Sequence, residues 1–514
     1  MIAATLSTLL PVLSGRGLLT GTGVVSLRVQ TCQGTATMVI DDIAFASGDQ
    51  IAAAVKAKTM SAVEVAKATL DRMERAQPIL NCFITICREE ALGAAAEIDR
   101  RIGKGETVGS LAGVPLHVKD LVNTKGVRTT FGSFIHEHHV PATDSVSVAR
   151  LKAAGAVLVG KTTTPEFGHM VWTEAPLFGR TRNAWNAART SGGSSGGAAV
   201  ACAAGLSPLA IATCAGGSTR IPAACNGVVG FKQSLGLVPH DMAPEAFANL
   251  SYITPTTRTV LDTALMLEAM AGPHPSDPHS FGMSAKGCVE AARAPRDLKG
   301  ARIAWRPFVG NTVIDREVLH LTEAAARSFE DFGASIEDMA DDMEPTEPMW
   351  LVISTALWNA RFRDVLPQWR DRMSPSLVRQ MEGGETHTAA MLAQAQMRRT
   401  AIFRQVQGWF DRYDIIAMPT LTRTAVDIEQ KLFEPIEIEG RVVDTVRKAW
   451  FPYTHPFNLT GHPAVSLPAG FHSDGLPVAI QLVARRGADA LLCRAAALFE
   501  QARPWAQRRP DIGI

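Results

Sequence analysis

Two clusters of serine and glycine carry the groups in this sequence that are best suited to chemistry. The clusters occupy residues 191–197 and 213–220, and a small, apolar segment at 198–212 separates them. Glycine lets the backbone adopt positive φ and lets a ligand approach closely. Successive N–H groups in such runs can converge on an anion or a developing oxyanion. A flexible linker would contain neither the apolar spacer nor the arginine that ends the second cluster. We therefore predict exposed serine hydroxyls on a preformed backbone cradle.

A lysine is the next candidate for chemistry. Residues 113–120 contain a short apolar run that is typical of a buried strand, and Lys119 stands at the end of that run. Lysine is ordinarily a surface residue, but a lysine that a buried strand delivers can be held inside the protein. Lys119 is therefore a candidate for a buried functional amine.

Residues 155–162 match the P-loop expression G-x-x-x-x-G-K-[ST] letter for letter. A P-loop places its strand before the first glycine and begins a helix near its lysine. Here the strand-like residues lie between the two glycines, and Pro165 follows Lys161 closely. We therefore predict a helix end at Gly155, a buried strand and a loop, and no nucleotide site.

A second expression, Gly192-x-Ser194-x-Gly196, fits the nucleophile elbow of α/β-hydrolases. That turn must follow a strand, whereas residues 186–191 are typical of a loop. His455 and His462 nevertheless come late enough in the chain to complete a Ser-His-Asp triad. An α/β-hydrolase therefore remains an alternative.

Strands and helices alternate along most of the chain, and no internal repeat is visible. Ser61 and Glu64 form a capping box that opens a helix, which we predict to stop before Pro78. Residues 344–372 contain three tryptophans and a phenylalanine, and their density favours the wall of an apolar pocket. The alternation predicts a layered α/β domain. Further helices are predicted at 89–102, 315–332 and 398–413, and strands at 227–232, 301–305, 415–419, 464–468 and 477–483.

Length and composition exclude several classes of protein. The 514 residues are 46% hydrophobic and 20% charged, which describes a globular protein with ample core. A net charge of +1 gives no electrostatic case for nucleic acid or an anionic membrane. Residues 1–33 lack the features of a signal peptide and no run can span a bilayer, so we interpret residues 1–40 as an extension outside the catalytic fold.

The histidines and cysteines indicate neither a metal site nor a disulfide framework. His136, His138 and His139 have no flanking acidic or cysteine cluster, so we interpret them as part of a solvated loop. Scattered cysteines without C-x-x-C spacing favour a reducing, cytoplasmic compartment. The eight cysteines lie at positions 32, 82, 87, 202, 214, 225, 288 and 493.

Taken in order, these motifs resemble the amidase signature family, over roughly residue 47 to the C-terminus. Each motif is weak alone, but their succession is strongly specific. The resemblance implies an α/β fold with a large mixed β-sheet sandwiched between α-helices, formed by residues 41–514, with the substrate-pocket region at about 240–455. The motifs are Gly113-Val114-Pro115 with Val118-Lys119-Asp120, Gly192-Gly193-Ser194-Ser195-Gly196-Gly197, Gly216-Gly217-Ser218-x-Arg220, Asn458-x-Thr460-Gly461-x-Pro463-Ala464 and Gly475-Leu476-Pro477-x-x-x-Gln481.

The resemblance implies a Ser–cisSer–Lys catalytic triad. Carried over by position, Ser218 is the nucleophile, Ser194 is the bridging serine after a cis peptide bond, and Lys119 is the base. Ser194 is preferred over Ser195 because its separation from Ser218 matches the family's. Lys119 must be neutral to act as a base, and burial favours that form. The implied oxyanion hole consists of the N–H groups of Ala215, Gly216, Gly217 and Ser218, and the implied substrate-binding residues are Met170, Val171, Trp172 and Gly193.

The sequence departs from the family's pattern at two places that matter here. Cys214 stands where the family usually has an aspartate that would pair with the arginine at the position of Arg220. Residues 169–172, His-Met-Val-Trp, stand where the transamidase branch has a small Gly/Ser-rich run beside the acyl pocket. The second departure favours an apolar substrate over the tRNA-dependent branch.

The resemblance therefore implies an amidase that hydrolyses the C–N bond of an amide or carbamate with an apolar or aromatic part through an acyl-enzyme on Ser218. Its partners would be that small molecule and water, with no cofactor, metal, nucleic acid or membrane, and a homodimer is compatible with the sequence. The alternatives are the glutaminase (A) subunit of a tRNA-dependent amidotransferase, the Ser-His-Asp α/β-hydrolase and an inactive scaffold.

Overall fold

An eleven-stranded mixed sheet forms the centre of the protein, in the order β1-β3-β2-β6-β8-β7-β14-β15-β11-β9-β10. The computed structural model describes residues 40–514, so the predicted extension at 1–40 lies outside the described residues except for Ile40. The strands are β1 (Phe83–Ile86), β2 (Pro115–Lys119), β3 (Val157–Thr162), β4 (Glu174–Ala175), β5 (Gly179–Arg180), β6 (Leu209–Cys214), β7 (Val229–Lys232), β8 (Tyr252–Thr257), β9 (Arg302–Trp305), β10 (Ser335–Asp338), β11 (Ile415–Pro419), β12 (Pro435–Ile438), β13 (Arg441–Thr445), β14 (Ala464–Phe471) and β15 (Pro477–Ala484).

Helices flank this sheet, which confirms the predicted α/β class. The helices are α1 (Gly48–Lys56), α2 (Ala62–Leu80), α3 (Arg88–Gly103), α4 (Val146–Ala153), α5 (Gly196–Ala203), α6 (Arg220–Asn226), α7 (Val260–Met270), α8 (Cys288–Arg293), α9 (Arg316–Arg327), α10 (Glu347–Phe362), α11 (Leu366–Trp369), α12 (Pro375–Glu385), α13 (Ala389–Trp409), α14 (Val446–Ala449), α15 (His455–Thr460) and α16 (Asp489–Ala502). Short 3₁₀ helices cover Ile40–Phe45, Phe134–His136, Glu166–Gly168, Ser328–Phe332 and Arg370–Arg372.

The strands that deliver the candidate site lie inside the sheet. β2 pairs in parallel with β3 on one side and with β6 on the other. All the residues of these three strands are buried. Parallel strands covered on both faces read as continuous apolar runs, which is why the sequence around Lys119 and around Lys161 predicted buried strands correctly. The match to the P-loop expression is therefore a strand, as predicted.

Two of the helices extend beyond their predicted limits. The helix after Ser61 has the predicted capping box but continues through Pro78 to Leu80. Pro78 falls in the last turn, where its missing N–H removes one intrahelical bond, and Asn81 ends the helix in the left-handed conformation at φ 47°. The helix predicted from 398 begins earlier, at Ala389, because Thr388 caps it by accepting a hydrogen bond from Met391 N.

A group of helices stands beside the sheet and forms one side of the cavity described below. α10 packs on α12, α13 and α15. Its buried residues include Met349 and Ile353, which belong to an apolar cluster with Ile402, Val406 and Trp409 of α13. The aromatic segment predicted as a pocket wall is therefore mainly the helix α10.

Candidate active site

Lys119 is the last residue of β2, and its side chain is completely buried. Its Nζ lies 2.7 Å from Ser194 Oγ, 2.8 Å from Ser195 Oγ and 3.0 Å from Thr213 Oγ1. Burial places the pKa of Lys119 well below its usual value, although the charge of Cys214 acts in the opposite direction. A neutral amine has two N–H donors and one lone pair. Three hydroxyl neighbours therefore let Lys119 accept a proton from one of them.

The carboxylate next to Lys119 in sequence does not hold it in the charged form. Asp120 accepts hydrogen bonds from the N–H and the hydroxyl of Thr130, and its Oδ1 lies 3.6 Å from Lys161 Nζ. Successive side chains of an extended strand point to opposite faces. Asp120 is accordingly paired with Lys161, and Lys119 faces hydroxyl groups.

Close backbone packing shapes the loop that carries Ser194. The peptide bond between Gly193 and Ser194 is cis, as the resemblance implied. A Cβ on Gly193 would lie only 2.6 Å from the backbone N of Trp172, so glycine is required there. Ser194 is 2% exposed, and α5 begins two residues later at Gly196. The loop thus brings Ser194 Oγ to the lysine and to the edge of the cavity.

Ser218 lies in the turn between β6 and α6. Its side chain is half-buried and lines the cavity together with Ser194, Thr213 and Ala215. The carbonyl of Ser218 accepts a hydrogen bond from Ser195 N at 3.2 Å, which ties the two serine clusters together. Ser218 therefore presents its hydroxyl where a bound molecule can reach it.

The turn before Ser218 points its backbone donors away from the protein's own acceptors. Trp350 Nε1 donates to the carbonyl of Ala215 at 3.0 Å, and Thr454 Oγ1 donates to the carbonyl of Gly216 at 2.7 Å. Within residues 40–514, none of the N–H groups from Ala215 to Ser218 donates to a protein acceptor. Gly217 has φ +138°, a conformation that favours glycine. Free N–H groups on a preformed turn can stabilise an oxyanion.

A cavity of about 940 Å³ opens beside the two serines. Its wall is mainly apolar and comes from the segment at 167–171, the loop at 240–251 and the helices α10 and α13. Met170 and Val171 lie in this wall, and so do Trp350 and Trp358 of α10. The arrangement can hold a bulky apolar molecule against Ser218.

Two of the predicted substrate-binding residues do not lie in the cavity wall. Trp172 packs in an apolar cluster with Trp450 and Leu421, and its backbone lies directly against Gly193. Neither Trp172 nor Gly193 is among the lining residues. Val171 is therefore the last residue of this segment in the cavity wall, and the backbone of Trp172 packs against the loop that carries Ser194.

The two histidines considered for the alternative Ser-His-Asp triad contact residues other than the candidate serines. His462 contacts Thr460 and Gln407 and stacks between Phe403 and Phe410. His455 lies against Trp350 and Phe451, and burial lowers the pKa of both histidines to about 3. Neither is hydrogen-bonded to Ser194 or Ser218 in the described chain.

Sequence reasoning missed several side chains that hold the site. Ser195 and Thr213 both contact the lysine, and Trp350 binds the turn. Arg447 lies in the cavity wall and stacks over Trp350 at 5.1 Å, and burial lowers its pKa to about 10. Ser195 and Thr213 stood inside the two serine and glycine clusters and Trp350 inside the predicted pocket wall, whereas only the packing of α14 identifies Arg447.

The described residues offer no candidate for a metal centre or a membrane span. Among residues 40–514, no group of three histidine, cysteine, aspartate or glutamate side chains is arranged to hold a metal ion. In the same residues no helix is long and apolar enough to cross a membrane. His136 and His139 pack with Phe131.

Comparisons with known proteins show what this chain is similar to. A family model described as Amidase matches residues 64–493. The acylamidase of Rhodococcus erythropolis is 37% identical over 479 residues, covering 92% of this chain and 98% of that protein. A glutamyl-tRNA(Gln) amidotransferase subunit of Thermosynechococcus vestitus is 35% identical over 480 residues, covering 88% and 97%. The crystal structure of a bacterial aryl acylamidase superposes with a TM-score of 0.83 at 31% identity, covering 90% of this chain and 97% of that one.

Proposed function

The chain belongs to the amidase signature family and is an amidase, and from this premise we propose that Ser218 attacks the substrate carbonyl to form an acyl-enzyme. The observation that carries the proposal is the buried Lys119 amine, 2.7 Å from Ser194 Oγ at the edge of the cavity that Ser218 lines. A neutral amine there can act as the base.

The proposed route moves one proton in each direction. Ser218 loses its proton to Ser194 Oγ, which passes its own proton to Lys119 Nζ, and the serine oxygen bonds to the carbonyl carbon. The negative oxygen that forms faces the free N–H groups from Ala215 to Ser218. Lys119 then returns the proton through Ser194 to the departing nitrogen. Water releases the acyl group by the same steps.

We propose a substrate with a bulky apolar or aromatic part, joined to the nitrogen by an amide or a carbamate. The apolar wall of a cavity of about 940 Å³ supports this class, as does the likeness to a bacterial aryl acylamidase. The amide carbonyl and the carbamate carbonyl each present an oxygen that the N–H groups of the turn can bind. Rates for a matched aryl amide, aryl carbamate and aryl ester would rank the three.

Replacement of Ser218 tests the nucleophile. We expect Ser218→Ala to lose covalent labelling by a serine-directed aryl phosphonate and to lower kcat by about 10⁴-fold or more. Ser284, which lies exposed in a loop, provides the matched control, since Ser284→Ala should label and turn over like the wild type. Labelling of a peptide that contains Ser194 instead would move the nucleophile to that residue.

The likeness to part of an amidotransferase supports a second candidate, a glutaminase that works with partner chains. Purification of the chain alone separates the two functions. An independent amidase hydrolyses an aryl amide without other chains, whereas a glutaminase of this kind would require them and would prefer glutamine. Phosphonate labelling also tests the inactive-scaffold alternative, which predicts no adduct.

The proposed compartment is the cytoplasm. The seven cysteines in the described part of the chain are free and buried, which supports a reducing environment. The homodimer stays a prediction, and the mass of the purified protein in solution measures it.

A further inference from the structure

Two cationic side chains, Arg220 and Lys232, are completely buried behind the turn that carries Ser218. Arg220 Nη1 donates to Gln481 Oε1 at 2.7 Å and Nη2 donates to Asn458 Oδ1 at 2.5 Å, while its Nε has no partner. In residues 40–514, Lys161 and Asp120 form the one ion pair in which both side chains are fully buried. Neither Arg220 nor Lys232 forms an ion pair with a carboxylate of these residues. This region therefore holds buried positive charge without an obvious counterion.

The two cations are not equivalent. Lys232 lies 4.1 Å above the ring of Tyr252 and donates to the carbonyl of Gln233, and burial places its pKa well below its usual value. Lys232 can thus become neutral, as Lys119 can. A guanidinium cannot lose its charge in a protein. Arg220 is therefore the charge that needs compensation, because a buried unpaired charge is strongly destabilising.

Among residues 40–514, the side-chain hydrogen-bond partners of Arg220 include one group that can become an anion, the thiol of Cys214. It is the last residue of β6 and is completely buried. Its Sγ lies 3.6 Å from Arg220 Nη2 and 3.6 Å from Asn458 Nδ2, so two N–H donors converge on the sulfur. As a thiol it would instead donate to Asn458 Oδ1, which already accepts from Arg220. Two donors on one sulfur suit a thiolate better than a thiol.

The electrostatic surroundings of this sulfur agree with its contacts. Burial raises the pKa of the Cys214 thiol, but the charge and hydrogen bond of Arg220, the N–H of Thr219 and the charge of Lys232 together bring that pKa below its usual value. The other titratable groups that face it are Lys119 and Tyr252. Burial raises the pKa of Cys82, Cys202 and Cys225, which are equally buried. Proximity to Arg220 distinguishes Cys214 from them.

We propose that Cys214 is a thiolate in the folded enzyme and is a positioning residue that neutralises Arg220 beneath the turn carrying Ser218. The thiol loses its proton to solvent, and no other bond changes. Asn458 Nδ2 also donates to the carbonyl of Cys214 at 2.8 Å, so the same cluster fixes the residue that precedes the turn. The functional meaning of this anion rests on the proposed role of Ser218, but its presence does not.

Ultraviolet absorbance of the thiolate tests the charge state without any activity measurement. At about pH 6.5 an ordinary thiol, with a pKa of about 8.5, is neutral. We expect the folded wild type to show the absorbance of one thiolate that disappears in Cys214→Ala and on acidification. If Cys214→Ala does not fold, denaturation of the wild type at the same pH should remove the band. Absence of the band in the folded wild type would overturn the proposal.

The pH profile tests the positioning role. The negative charge of Cys214 raises the pKa of Lys119, so its removal should move the ascending limb of kcat/KM to lower pH by about one unit. We expect this shift in Cys214→Ser, together with a loss of about tenfold or more from the unpaired Arg220. Cys214→Asp should restore the wild-type limb. A Cys214→Ser profile that coincides with that of Cys214→Asp would overturn the proposal.

The two tests separate failure of this inference from failure of the proposed function. If Ser218→Ala stayed active while the thiolate band was present, the nucleophile would be wrong and the charge assignment would stand. If the thiolate band was missing while Ser218→Ala was inactive, the charge assignment of Cys214 would be wrong and Ser218 would stand as the nucleophile.

Discussion

The proposed catalytic floor of the cavity and the wall of the cavity are built on different principles. The floor, defined here as Lys119, Ser194, Ser195 and residues 213–220, consists of mostly buried polar groups that strands and tight loops bring together. The wall, formed mainly by α10, α13 and the loop at 240–251, is largely apolar and includes exposed side chains such as Leu392. The chemical identity of each floor residue matters, whereas volume and shape matter in the wall. Substitutions in the floor should therefore change the reaction, and substitutions in the wall should change which substrate reacts.

Among substitutions in the floor and the wall, we expect the largest loss of kcat/KM at Lys119. Lys119→Met keeps most of the side-chain volume but removes the proposed base, so kcat/KM should fall by about 10²- to 10⁴-fold. Amides should lose more than esters, because an amine leaving group needs a proton returned to it. Rates for a matched aryl amide and aryl ester measure the difference.

The pH profile of the wild type belongs to the same prediction. Only neutral Lys119 accepts a proton, so kcat/KM should rise with pH through its pKa and level off. Burial lowers that pKa, so the plateau should begin below the value of about 10.4 of a free lysine. Lys119→Met should lack the limb. If Lys119→Met kept the ascending limb of the pH profile and His455→Ala lost it, the base would be His455. The floor would then not contain the base.

A smaller effect is expected at Trp350, where wall and floor meet. Its ring lies within 2.9 Å of the position that a Cβ on Gly216 would occupy, and its Nε1 donates to Ala215. Trp350→Ala should lower kcat/KM for aryl substrates by about 10- to 100-fold through lost packing. Trp350→Phe removes mainly the hydrogen bond, worth about 0.5–1.5 kcal/mol, and should cost tenfold or less. Equal losses in both variants would mean that Trp350 acts through its hydrogen bond to the turn and not through its packing in the cavity wall.

The smallest effect on catalysis is expected at Trp172, which can be compared with a tryptophan of the wall. Trp358→Ala should lower the preference for bulky over small aryl amides by about tenfold, because Trp358 lines the cavity. Trp172→Ala should leave that ranking unchanged and instead destabilise the fold by about 3–5 kcal/mol. Substrate ranking and denaturant unfolding of both variants measure the two effects. A changed ranking of bulky against small aryl amides in Trp172→Ala would mean that Trp172 belongs to the substrate-binding site.

Local patterns were sufficient to predict the strands that deliver the floor. β2 and β3 were identified from short apolar runs, and β11 was predicted with its observed limits at Ile415–Pro419. Pro78 shows the limit of such patterns. A proline in the last turn of a helix lacks only one hydrogen bond, so the packing of Leu80 can extend the helix past it.

The sequence by itself supplied the candidates for catalysis, because its serine, glycine and lysine motifs carry the resemblance to the amidase signature family. It could not place the groups that support them. Arg220 contacts Gln481, and Cys214 contacts Asn458, across more than 200 intervening residues in each case. Both Trp350 and Trp172 were expected at the cavity, and the tertiary structure places Trp350 in its wall but not Trp172. Both are tryptophans in apolar segments, and their roles differ because separate parts of the chain pack against each of them.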